Sequence, residues 1–195
     1  MLVRFDRSEA TAVELIGWPV HGIITARFGA TAIPAHAAGH TGVDIAAAVG
    51  TPVYAPASGV VKNVFSLHIE GEPWAQQWKS VFGNSVILDH GGAVTLYAHL
   101  ATPPLVYEGE HVEAGRLLGS AGMTGTATGP HLHWGMAPAS NPYLRRDGPG
   151  GLLDPLTCCT MGTPEAAPTP PDLASIRTRL HAMRTLLEET EALLA

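Results

Sequence analysis

Glycine and proline punctuate this chain so densely that no long helix fits between residues 16 and 136. The 195 residues include 22 glycines and 16 prolines, and short runs of β-forming residues lie between them. Pro52-Val-Tyr-Ala-Pro-Ala-Ser-Gly-Val-Val-Lys-Asn-Val64, Ser85-Val-Ile-Leu-Asp-His90 and Val94-Thr-Leu-Tyr-Ala-His99 are the clearest of these runs. His90-Gly-Gly92 separates the last two and reads as a hairpin turn. Ala114-Gly-Arg-Leu-Leu-Gly119 reads as a further strand. A mainly β fold with an antiparallel β-sheet core over residues 21–145 is therefore expected. Residues 66–82 form a polar stretch in which Trp74 and Trp78, four apart, share one side of a short helical turn.

The flanks have a different character. Residues 1–20 read as an N-terminal extension whose charges at Arg4, Asp6, Arg7, Glu9 and Glu14 stand where a secretory signal needs an apolar run. No stretch approaches the roughly 18 apolar residues of a membrane span. Residues 146–171 read as a Gly/Pro-rich linker, ending in Thr163-Pro-Glu-Ala-Ala-Pro-Thr-Pro-Pro171. Asp172 then caps an amphipathic C-terminal helix over 172–195, with Leu173, Ile176, Leu180, Met183 and Leu187 spaced 3, 4, 3 and 4. That stripe suits self-association, docking through 172–194, packing on the β domain or a free tail, and the sequence leaves the choice open. A net charge of −6 with no basic run excludes an electrostatically driven nucleic-acid binder. The two cysteines, Cys158 and Cys159, are neighbours and offer no disulfide framework.

Ten histidines carry the chemistry. His40-Thr-Gly-Val-Asp44 sets an imidazole and a carboxylate four residues apart around a glycine. In His131-Leu-His133 both imidazoles leave one face of a strand while Leu132 enters the core. Two histidines and an aspartate with a fourth position open to water are a usual composition for catalytic zinc. His99, at the end of its strand, is a further candidate for the same cleft. Asn84 and Tyr97 are candidates for substrate binding. His21, His68, His111 and His181 read as surface or packing residues, His90 as structural, and His36 as a residue that could line the cleft.

In these segments the chain resembles the lysostaphin-type (LytM-like) zinc metallo-endopeptidases, which cut peptide cross-links in bacterial cell walls. Arg27-Phe-Gly29, His40-Thr-Gly-Val-Asp44, Gly83-Asn-Ser-Val-Ile-Leu-Asp-His-Gly91, Leu96-Tyr-Ala-His-Leu100, Gly122-Met-Thr-Gly125 and His131-Leu-His133 follow the family's order over roughly residues 22–136. The resemblance implies an open substrate groove across the sheet and one Zn2+ held by His40, Asp44 and His133. His99 and His131 would be the catalytic histidines that do not touch the metal. Two departures stand out: Ala30 follows Phe28-Gly29 where the family often has arginine nearby, and Met123 replaces the asparagine of its usual Gly-Asn-Thr-Gly.

The expected activity is zinc-dependent hydrolysis of a peptidoglycan peptide, with one of His99 and His131 taking a proton from water and activity falling in acid. Gly-Gly bridges and D-Ala-diaminopimelate cross-links both lie within the resembling family's range. A wall-cutting chain with a charged N-terminus suggests a phage lysin released at lysis or a virion component. A non-catalytic, zinc-stabilised structural or peptidoglycan-binding module is the alternative. A glycosidase is disfavoured because no carboxylate pair stands out.

Overall fold

The computed structural model describes residues 13–161, apart from 16, 33–36, 68–72 and 149. The strands are β1 (Val13–Leu15), β2 (Ile23–Ala26), β3 (Gly42–Ala46), β4 (Pro52–Tyr54), β5 (Gly59–Phe65), β6 (Asn84–Asp89), β7 (Ala93–Leu100), β8 (His111–Val112), β9 (Leu117–Ser120), β10 (His131–Pro138) and β11 (Cys159–Met161). Two helices accompany them, α1 (Pro73–Phe82) and α2 (Pro155–Cys158). Seven strands form an open sheet in the order β2-β3-β10-β7-β6-β5-β8, with antiparallel pairing throughout. The fold is thus mainly β with an antiparallel core.

Burial explains the order. All eight residues of β7 are buried, so this strand is covered on both faces. One face carries Val43, Ile45, Val86, Leu88, Tyr97, Leu132 and Trp134, closed by Val53 of β4 and Leu118 of β9. The other carries Ile87, Leu96, Ala98, Phe65 and Leu144, with Ala75 of α1 among them. Each large side chain fully buried in this way contributes roughly 1.5–3 kcal/mol. The β6–β7 turn closes at His90, whose N–H donates to the Ala93 carbonyl at 2.9 Å, with Gly91 at φ 86° supplying a left-handed turn residue.

Part of the 66–82 stretch, expected as a loop with one helical turn, is the ten-residue helix α1. Ala75, Trp78 and Phe82 recur at helical spacing and face the sheet, where Trp78 stacks on Phe65 with centroids 5.2 Å apart. Residues 150–161, read as linker, also fold onto the sheet. Leu153 bridges Met136, Asp154 caps α2 by accepting from the Leu156 N–H at 3.0 Å, and β11 pairs in parallel with β1. Among the described residues no helix is long and apolar enough to cross a membrane. The helix expected over 172–195, like His36, His68 and His181, lies outside the described residues.

Candidate metal centre

Strands β3 and β10 build the site by register. Asp44 lies directly opposite His133, and Ala46 opposite His131. On β10, His131 and His133 share a face while Leu132 and Trp134 enter the main core from the other. The strands can approach this closely because residue 42 is glycine: a Cβ there would sit 2.4 Å from the Trp134 carbonyl oxygen. His40 precedes β3 in a turn tied by its own backbone, its N–H donating to the Ala30 carbonyl and its carbonyl accepting from Gly29, both at 2.9 Å.

Three ligand atoms converge. His40 Nε2 lies 3.1 Å from His133 Nδ1 and 3.0 Å from Asp44 Oδ1, and His133 Nδ1 lies 2.8 Å from Asp44 Oδ1. All three residues are buried. His40 Nδ1 donates to the Arg27 carbonyl at 3.2 Å, which leaves Nε2 with its lone pair. Thr41 Oγ1 stands 3.4 Å from His133 Nε2, on the outer edge of that ring. Bonds of about 2.0–2.1 Å in a tetrahedral site place neighbouring ligand atoms about 3.3 Å apart. The observed triangle is only slightly tighter, so this donor set fits one small divalent ion such as Zn2+.

Burial raises the Asp44 carboxyl, yet hydrogen bonds and charge from His133 and His40 outweigh it and hold the group well below the usual carboxylate range. Burial also depresses the His133 imidazole, against the pull of Asp44. A neutral imidazole and an ionised carboxylate are the forms a cation requires.

His99 and His131 stand beside this triangle. Their ring centroids are 4.7 Å apart, and His99 lies 6.0 Å from His133. His131 Nδ1 donates to the Gly129 carbonyl at 2.8 Å and His99 Nδ1 to the Thr124 carbonyl at 2.7 Å, so in the neutral form of either ring the lone pair is on Nε2. His131 Nε2 reaches to 3.6 Å from Asp44 Oδ1. Burial, with His133 beside it, pushes the His99 imidazole down to about 4 and keeps it neutral near pH 7. His99 adopts φ 62°, a left-handed conformation that costs a non-glycine residue about 1–3 kcal/mol. It lies where β7 holds one residue more than β6, between the pairs Val86↔Tyr97 and Asn84↔Leu100.

Asn84 and Tyr97, expected to bind substrate, are both buried and committed to the fold. Tyr97 belongs to the core on the opposite face, with its hydroxyl 3.0 Å from Thr95 Oγ1. The Asn84 carboxamide accepts from the Leu67 N–H at 2.9 Å and donates to the Leu100 carbonyl at 3.3 Å. His90 bonds the Ser58 carbonyl at 2.7 Å and Thr95 Oγ1 at 2.8 Å, while His21 and His111 are exposed. The 102–110 loop hydrogen-bonds to β5 and β9.

Residues not singled out in the sequence also surround the centre. Phe82 of α1 places its ring 5.6 Å from that of His133 and 4.6 Å from Trp78. The Arg146 guanidinium grips the Ala38 and Gly39 carbonyls just ahead of His40. The Ala75–Trp78–Phe82 spacing was a usable signal for the first. Nothing local signals the second, because its acceptors are backbone carbonyls.

Peptidoglycan DD-endopeptidase ShyA of Vibrio cholerae is 40% identical over 96 residues, which are 49% of this chain and 19% of that protein. DD-carboxypeptidase/endopeptidase Mpg of Neisseria meningitidis is 43% identical over 96 residues, again 49% of this chain and 19% of the relative. The match thus spans about a fifth of the length of either. The catalytic domain of the antimicrobial peptidase lysostaphin from Staphylococcus simulans superposes with a TM-score of 0.54 at 26% identity, covering 68% of this chain and 88% of that domain. Residues 38–143 match the sequence profile of peptidase family M23. That stretch is more than half of the chain and contains His40, Asp44, His99, His131 and His133, and the chain belongs to peptidase family M23.

Proposed function

We propose that the chain is a zinc-dependent endopeptidase that hydrolyses peptide cross-links of bacterial peptidoglycan, with DD-type bonds as its substrate class. The observation that carries this reading is the pairing of a three-atom ligand cluster with two neighbouring imidazoles whose Nδ1 protons are given to backbone carbonyls. The names of the relatives ShyA and Mpg support the bond class. Zinc held by His40, Asp44 and His133 would supply a Lewis acid that polarises a carbonyl and lowers the pKa of water.

The remaining work falls to His99 and His131. Each holds its Nδ1–H on a backbone carbonyl, which leaves Nε2 as the nitrogen placed to take the proton of the attacking water. The imidazolium so formed returns that proton to the departing amine as the peptide C–N bond breaks. The second imidazole beside it can hold the reacting groups by hydrogen bonding. A binding-only module has no use for two such imidazoles beside the ligand cluster. Neither the site nor the relatives ShyA and Mpg bear on a phage or virion setting. The heptad-like stripe over 172–194 supports self-association or partner docking, which size-exclusion chromatography with and without that segment tests.

Digestion of purified peptidoglycan by the zinc-loaded chain, read by mass spectrometry, tests the function. New amino termini at DD cross-links are expected, and they should vanish on chelation. New reducing ends, or no products at all, would overturn the proposal.

A further inference from the structure

His99 owes its place to an irregularity that the strand itself does not maintain. The extra residue in β7 turns the His99 ring toward His131 and His133 and sends Leu100 into the opposite core. A left-handed histidine persists only where its surroundings over-determine it.

Those surroundings converge on Thr124. Its hydroxyl donates to the Leu100 carbonyl at 2.8 Å, the residue that follows the bulge. The same oxygen accepts the Asn84 N–H at 3.0 Å, tying β6 into the contact. Its carbonyl receives the His99 Nδ1 proton at 2.7 Å. The fit is close: a Cβ on Gly83 would lie 2.2 Å from Thr124 Oγ1, so glycine there leaves room for the hydroxyl. The loop reaches His131 as well, since the His131 N–H donates to the Gly122 carbonyl at 3.2 Å.

We propose that Thr124 is the positioning residue for His99. Its hydroxyl clamps the bulge at Leu100, and its carbonyl locks the imidazole as the Nδ1–H tautomer with Nε2 free to accept a proton. This deepens the proposed function and rests on His99 acting in proton transfer, although its central observable does not require turnover.

The test uses the zinc-loaded, 15N-labelled full chain with T124V, which removes the hydroxyl at nearly constant shape, and T124S, which keeps it. Imidazole 15N spectra of the parent chain should show His99 with a protonated Nδ1 and a bare Nε2. In T124V that single-tautomer signature is lost and kcat falls about 10²-fold, with KM and zinc stoichiometry unchanged. T124S restores both. Should T124V fail to fold, T124A carries the same measurements with the same reading. A His99 tautomer unchanged in the hydroxyl-free variant overturns the proposal, whether or not kcat falls. So does a kcat within about twofold of the parent. A parent chain that shows the locked tautomer but cuts no peptidoglycan would count against the proposed function alone.

Discussion

His99 and His131 face one another with ring centroids 4.7 Å apart, and each anchors its Nδ1 on a backbone carbonyl, that of Thr124 or Gly129. Neither ring belongs to the cluster of His40, Asp44 and His133, so under the proposed function metal retention and turnover should separate. His131→Ala and His99→Ala are each expected to keep stoichiometric zinc while kcat drops about 10²–10⁴-fold. Metal analysis beside steady-state kinetics checks this, and loss of zinc from either variant would contradict the assigned roles.

Asp44 behaves differently because its Oδ1 contacts both His40 and His133. Asp44→Ala removes one ligand and the only anionic one, so zinc should be lost on dialysis and turnover with it. The strands carry the core, and far-ultraviolet circular dichroism should remain close to that of the parent chain. Full zinc occupancy in the variant would exclude Asp44 as a ligand.

Arg146 bridges two carbonyls ahead of His40, a planar fork spanning adjacent acceptors. Arg146→Ala should free that turn and weaken zinc binding about 10-fold while leaving activity at saturating zinc largely intact. Arg146→Lys should rescue poorly, since one ammonium cannot reproduce the fork. Competition with a chromogenic chelator measures the affinity, and equal affinities in all three proteins would remove Arg146 from the support of the site.

Stability of the metal-free protein should fall in mild acid. Burial lowers the imidazoles of His90, His99 and His133, with His99 reaching about 4 against an ordinary value of 6.5. Below pH 6.5 the unfolded chain therefore takes up protons that the folded chain refuses. Stability is fully present above that pH and declines as the pH drops toward 4, by up to about 1.4 kcal/mol per pH unit for each proton. Urea midpoints at pH 7.5 and 5 report the trend; identical midpoints would mean these rings are not protected as described.

Local alternation made much of the fold readable. The β6–β7 hairpin and the strand containing His131-Leu-His133 follow from period-2 patterning and a Gly-Gly turn. The relation between Tyr97 and His99 is one that alternation does not give. Strict alternation would set Tyr97 and His99 on one face, but the bulge inserts an extra residue and breaks the parity between them. The partners of Asn84 were not legible either: its carboxamide bonds the Leu67 and Leu100 backbones, which are distant in sequence and invisible as side-chain types. The helix α1 was legible only as a single turn, because its apolar stripe of Ala75, Trp78 and Phe82 is three residues long. Thr124 and Arg146 act on carbonyl oxygens, which every residue possesses, so no spacing could single them out.

Strand β10 joins two demands in one run of residues. Leu132 and Trp134 anchor the hydrophobic interior while His131 and His133, interleaved with them, face the candidate metal centre. Repacking the interior beneath them would therefore alter the aim of the imidazoles, and gains in thermal endurance sought at these positions would trade directly against turnover. Laboratory evolution of this chain should accordingly accept few changes in that strand. Changes at Phe82 of α1 would touch both demands at once, since its ring lies 5.6 Å from that of His133 and packs against the core on the sheet's second face.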